Sequence, residues 1–167
     1  MRVESIEHGL ALIALGELRS DEIPELALLM LEHGCDLPAI AALVSTTRSD
    51  DPVEVRADFM AALRQAGYVV PNKMEGARTL MRVCAGQAVR GARGARDAAW
   101  EIIWTYQEVT YGLSNRSKIF GEDFGISGVA GSYYAYEDAP VGDDDALKAL
   151  DSELLVELSK FASESGA

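Results

Sequence analysis

The chain has 167 residues, with 27 acids against 15 Lys/Arg, a net charge of −12 and 49% hydrophobic residues. A chain of this size buries about two-thirds of its unfolded surface and can fold without disulfides or metals, while acidity this strong argues against nucleic acid or an anionic membrane as partner, since both need a positive footprint. No apolar run approaches the ~18 residues that span a bilayer, and Met1–Ser5 sets Glu4 against Arg2 and leads into an amphipathic pattern, unlike a signal peptide; a cytoplasmic protein is expected, folded as one domain over 1–167 with sub-units at 1–70 and 71–167.

Helical signals run along the chain. Ser5 is a plausible N-cap for a first helix whose face is Ile6, Leu10, Ile13 and Ala14, ended near Gly16. Ser20 or Asp21 opens a second helix, with Asp21, Glu22 and Glu25 where the helix dipole favours acids. Pro24 is tolerable only in that first turn, and Gly34 suits the position after its end. A short helix follows from Pro38 to Val44, with Asp36 as its expected cap. Asp51-Pro52-Val53-Glu54 is the clearest start signal in the chain: an acid caps, proline takes the first helical position and Glu54 stands at capping-box spacing. Val55, Phe59, Ala62, Leu63 and Ala66 then form one stripe, closed by Gly67.

Ala77, Leu80, Met81, Cys84 and Ala88 mark the face of the next helix. Trp100, Ile103, Trp104, Gln107 and Tyr111 mark the one after, over 97–111, with Ile102, Tyr106 and Val109 on its other sides. A helix apolar over so much of its girth is usually buried, so 97–111 is expected at the centre of the fold. Periodicity fails from Gly112 to Asp145, a Gly- and Tyr-rich stretch read as a long irregular loop with room for short strands or a 3₁₀ turn. A last amphipathic helix carries Leu147, Leu150, Leu154, Leu155, Leu158 and Phe161. The expected fold is all-α, a compact single-domain array of six to seven helices with that irregular loop before the C-terminal helix.

Charge is segregated. Residues 1–70 hold 12 acids and 5 Lys/Arg, residues 71–120 hold 4 and 8, and residues 121–167 hold 11 and 2. A positive middle therefore lies between acidic ends, and its centre is Arg90-Gly91-Ala92-Arg93-Gly94-Ala95-Arg96. This stretch lacks the Lys and hydroxyl of a phosphate-binding P-loop, and the segment before it reads as helix, where a dinucleotide fingerprint needs a strand. Two readings remain. Arg90, Arg93 and Arg96 could hold a phosphate or carboxylate. Alternatively Gly91 and Gly94, each costing about 1 kcal/mol inside a helix, break the chain into a turn, with Asp97 capping a helix that starts at Ala98. The turn is the favoured reading.

No catalytic constellation emerges. His8 and His33 have no partner at metal-ligand spacing, and His33 suits a helix C-terminus. Cys35 and Cys84 read as reduced thiols. Asp143, Asp144 and Asp145 lack the alternation of a calcium loop and read as a solvated first turn. No cofactor or metal is expected. The one recognition feature is Tyr133, Tyr134 and Tyr136 beside Glu137, Asp138 and Asp143–Asp145, since tyrosines offer large amphipathic area at low entropy cost.

These features imply a non-enzymatic, acidic protein-binding module that engages a basic protein through Tyr133, Tyr134, Tyr136, Glu137, Asp138, Asp143, Asp144 and Asp145. By analogy of profile it suggests a bacterial immunity protein or inhibitor blocking a basic toxin or nuclease. The alternative is a helical domain binding small anions or metabolites, or an unrecognised enzyme, with a pocket beside Trp100 and Trp104 and Arg90, Arg93 and Arg96 as anion holders. The sequence leaves the oligomeric state open.

Overall fold

The computed structural model describes residues 3–47, 49–111, 119–136, 138–139 and 144–163. These residues form eight α-helices and two 3₁₀ turns, with no strand among them. The chain divides into two compact units, Met1–Thr79 and Leu80–Ala167, and the division falls inside one helix.

The first unit holds α1 (Ile6–Leu15), a 3₁₀ turn at Ser20–Glu22, α2 (Ile23–Glu32), α3 (Pro38–Val44), α4 (Pro52–Gln65) and the start of α5 (Lys73–Val89). Local chemistry sets these boundaries. The Ser5 hydroxyl accepts the His8 N–H, and Gly16 closes α1 at φ 77°. Pro24 stands at the start of α2 and Gly34 follows it at φ 89°. Asp51 caps α4 by accepting the Val53 N–H at 2.8 Å. At α5, the Asn72 side chain accepts the N–H groups of Met74 and Glu75 while the Glu75 carboxylate accepts the Asn72 N–H. This reciprocal box satisfies donors that the helix cannot. The cap expected at Asp36 is absent; α3 begins from Leu37, without a side-chain cap.

The core of this unit joins α2, α3 and α4 through Leu26, Met30, Ile40, Phe59 and Leu63, all fully buried. In α1 the buried residues are His8, Gly9, Ala11 and Leu12, whereas Ile6, Leu10, Ile13 and Ala14 are half-exposed. The expected face was therefore wrong, and Gly9 is the reason. A Cβ there would lie 2.4 Å from Leu26 Cδ2, so the glycine admits Leu26 of α2 against the backbone and turns the small side of α1 inward. His8 is wholly enclosed, and its Nδ1 accepts the Glu4 N–H at 3.2 Å. A second close approach lies at Gly76 of α5, where a Cβ would stand 2.8 Å from Ala14 Cβ and 3.2 Å from the Ala11 carbonyl oxygen of α1.

The second unit holds the rest of α5, α6 (Ala95–Thr110), a 3₁₀ turn at Glu122–Phe124, α7 (Ser127–Tyr134) and α8 (Asp144–Ser163). Helices α6, α7 and α8 pack on one another. All five residues expected on the α5 face are buried. The irregular stretch after residue 112 is corrected in part. Residues 112–118 lie outside the described residues, but 122–124 and 127–134 are helical. Glycines hid α7, because Gly128 and Gly131 lower its propensity. Packing restores it: Val129 and Ala130 are buried, and a Cβ on Gly128 would meet the Glu157 carboxylate of α8. Short helices generally owe their stability to such tertiary contacts.

Candidate functional site

The candidate site lies on the second unit and is built from α6 outward. This helix begins at Ala95 with Gly94 as its N-cap, three residues before the start expected from an Asp97 cap. Asp97 instead reaches back, its Oδ2 standing 3.2 Å from where a Gly94 Cβ would be. The buried side of α6 is Ala98, Ala99, Ile102, Ile103, Tyr106 and Val109. Trp100 and Trp104 are each 51% exposed and Tyr111 is exposed beyond them. Of the stripe expected at Trp100, Ile103, Trp104, Gln107 and Tyr111, Ile103 is buried and the other four face solvent. A helix with apolar residues on more than one side can bury only what its neighbours have room for, and here that space is filled by Ala98, Ala99, Ile102, Ile103, Tyr106 and Val109.

The tryptophans are not isolated. Trp104 and Trp100 lie 6.0 Å apart between ring centroids, with planes 31° from parallel. Trp100 meets Tyr133 of α7 at 6.2 Å and 34°. Tyr133 packs edge-on to Tyr134 at 5.6 Å, and Tyr134 to Phe120 at 6.5 Å. Phe120 reaches Tyr106 at 4.8 Å, and Tyr106 reaches buried Phe124 at 5.3 Å. A continuous aromatic ribbon thus runs from the surface of α6 across α7 into the core. Offset and edge-to-face pairs of this kind contribute about 0.5–1.5 kcal/mol each beyond area burial. Its inner end is fixed by the Tyr106 hydroxyl, which donates to Asp123 Oδ1 at 3.0 Å.

The tyrosine cluster is divided by this geometry. Tyr133 and Tyr134 belong to the ribbon, whereas Tyr136 turns to α8, where its hydroxyl donates to Asp151. Loss of solvent, then that carboxylate, pushes the Tyr136 phenol well above its ordinary pKa. Asp138, Asp144 and Asp145 are exposed, and Asp145 pairs with Lys148 at 3.3 Å in the first turn of α8. Glu137 and Asp143 lie outside the described residues.

The three arginines diverge. The chain between α5 and α6 is a turn with Gly91 at φ 71°. Arg90 folds back along α5 toward Gly86. Arg93 pairs with Glu101 and sets Nη1 3.6 Å from Cys84 Sγ. Burial opposes the Arg93 charge, but the Glu101 carboxylate outweighs it and holds the guanidinium above its ordinary pKa. Cys84 is buried, and burial followed by the Glu101 charge pushes its thiol up to about 12. Arg96 places its guanidinium carbon 5.2 Å from the Tyr136 ring centre. An arginine from the expected anion trio thus stands on a tyrosine from the expected partner face.

Elsewhere His33 directs Nδ1 to the Leu29 carbonyl at 2.8 Å, at the end of α2. Cys35 and Cys84 are free thiols. Among the described residues no three His, Cys, Asp or Glu side chains stand together as a metal site, and no helix is long and apolar enough to cross a membrane. Sequence reasoning missed the exposure of Trp100, Trp104 and Phe120. The available signal was the i, i+4 spacing of the tryptophans opposite a complete apolar stripe at Ile102, Tyr106 and Val109. No family model matches the chain, and no curated protein or solved structure matches it.

Proposed function

We propose that the chain is a non-enzymatic protein-binding module whose second unit engages a basic protein. The observation that carries this reading is the exposed half of the aromatic ribbon: Trp100, Trp104, Phe120 and Tyr134 at the surface, held in register by Tyr133. Clustered exposed apolar surface marks an interaction site where scattered residues do not, and Trp and Tyr dominate the energetically important positions of protein interfaces. Asp138, Asp144 and Asp145 of the same unit are exposed and favour a positively charged partner, and such charge governs encounter rate and partner choice more than affinity. Inhibition of a basic toxin or nuclease, in the manner of an immunity protein, is the specific role this profile suggests.

The test uses two immobilised baits, wild type and Trp100→Ala/Trp104→Ala, exposed to the same lysate at low and high salt. The expected result is a basic protein retained by wild type, released by salt and lost from the double variant, with the variant's thermal transition close to wild type. Equal retention on both baits would refute the aromatic surface as the binding face.

A further inference from the structure

The first unit carries a separate groove, between the 3₁₀ turn at Ser20–Glu22 and the outer face of α4. Its volume is about 690 Å³, within the range of small-molecule sites. The buried stripe of α4 is Val55, Phe59, Ala62 and Leu63, which leaves Val53, Ala57 and Met60 on the adjoining strip. Those three form the apolar wall of the groove, which buried Leu18 borders. Val53 is 75% exposed.

Two arginines reach the same groove. Arg19 is committed, since its Nε and Nη2 donate to the two Asp21 carboxylate oxygens at 2.9 and 2.5 Å. Arg56 is not. Its Nη1 donates to the Leu18 carbonyl at 3.2 Å, which ties α4 to the chain before the turn. A guanidinium has five N–H donors, so most of those on Arg56 remain for a ligand. Ser20 also lines the groove. A smaller recess of about 270 Å³ shares Ser20 and Pro52 and is lined by Asp21 and Asp50. Both acids are already engaged, Asp21 by Arg19 and Asp50 by the Thr47 N–H at 2.6 Å. They do not call for a cation, but their charge opposes a dianion such as phosphate.

We infer that this groove binds a monocarboxylate with an apolar tail, the carboxylate on Arg56 and the tail along Val53, Ala57 and Met60. One guanidinium matches one carboxylate in charge and in its forked geometry, and the apolar wall matches a chain rather than a polar sugar or nucleotide. The site is independent of the aromatic surface and stands or falls without it.

The test is a methyl-detected NMR titration of the full chain with decanoate, decanol and inorganic phosphate, each lipid below its micelle-forming concentration. Decanoate is expected to shift the Met60, Ala57 and Val53 methyl signals, with decanol at least about tenfold weaker and phosphate without effect. Arg56→Met is expected to weaken decanoate about tenfold or more. Because that variant also loses the bond to Leu18, Val53→Asp provides a second arm. It keeps Arg56, places a charge on an exposed position and is expected to abolish the shifts. Absence of shifts with decanoate, shifts centred outside the groove, equal binding of decanol, or full binding by either variant would each overturn the inference.

Discussion

The approach of α5 to α1 at Gly76 can be tested by adding one methyl group. Alanine is favoured over glycine in a helix interior by about 1 kcal/mol, so on propensity alone Gly76→Ala stabilises. The contacts predict the opposite. The new Cβ would meet Ala14 Cβ at 2.8 Å and the Ala11 carbonyl oxygen at 3.2 Å. Neither atom can rotate away, so relief requires the two helices to separate. Overpacking of this kind costs about 1–3 kcal/mol, and the rigidity of both neighbours favours the upper part of that range. After the propensity gain, a net loss of about 1–2 kcal/mol remains. At a urea slope of about 2 kcal/mol per molar, the midpoint falls by about 0.5–1 M. Gly131 supplies the contrast, since it lies within α7 and a methyl group added there would have nothing within 4 Å. Gly131→Ala is expected to gain about 0.5–1 kcal/mol. Urea melts followed by far-ultraviolet circular dichroism measure both. A Gly76→Ala protein as stable as wild type would show that the helices do not meet as described.

Cys84 ionises in the unfolded chain near pH 8.5 but only at about 12 in the fold. A raised folded value means that its contribution is complete below the unfolded pKa and is lost as pH rises toward the folded one. Stability should therefore fall between about pH 9 and 12, more steeply in wild type than in Cys84→Ala; identical slopes in urea melts across that range would contradict the burial of the thiol. Arg93→Met leaves the Glu101 carboxylate without its partner at a half-buried site and is expected to cost about 1–2 kcal/mol, part of it recovered in Arg93→Met/Glu101→Leu; a double-mutant cycle of thermal melts reads the coupling. Asp51→Ala removes the α4 cap and should cost about 1 kcal/mol, whereas Asp36→Ala removes no cap and should leave the melting transition unchanged.

Most helices were legible because their ends carry chemistry that acts locally. Ser5, Gly16, Gly34, Asp51 and Pro52 each work through the nearest backbone groups, and each stands where the sequence placed it. The α5 face was equally clear, because Ala77, Leu80, Met81, Cys84 and Ala88 hold one helical stripe without competition. What failed depended on neighbours distant in sequence. The face expected for α1 ignored Gly9, which sets the inward face because Leu26 needs the room. Helix α7 looked like loop, yet buried Val129 and Ala130 and the approach of Glu157 to Gly128 compensate for its glycines. At the candidate site, Tyr133 and Tyr134 were named from the sequence, but the ribbon that joins them to Trp100 and Phe120 exists only in three dimensions. Glu137 and Asp143 were named with them and lie outside the described residues.

The orientation of α6 bears most directly on function. A buried tryptophan removes up to about 250 Å² from water, so an indole left half-exposed forgoes about 2–3 kcal/mol at about 25 cal/mol per Å². Two such residues sit one turn apart on the same side of α6. The loss is large beside the few kcal/mol by which a unit of this size is stable. A binding surface gives the exposure a use, because a partner covering both rings recovers that burial. The ribbon also limits the entropy lost on association: Trp100 is braced by Tyr133 on one side and Trp104 on the other, and rings already held in place have less freedom to lose. The same unit shows the chemistry such a partner could use, since Arg96 already stands over Tyr136. An incoming arginine on the Trp100 or Trp104 face would repeat that contact on a ring that attracts cations more strongly. On the proposed function, aromatic exposure and acidity would favour the same partner chemistry, an arginine-bearing protein surface.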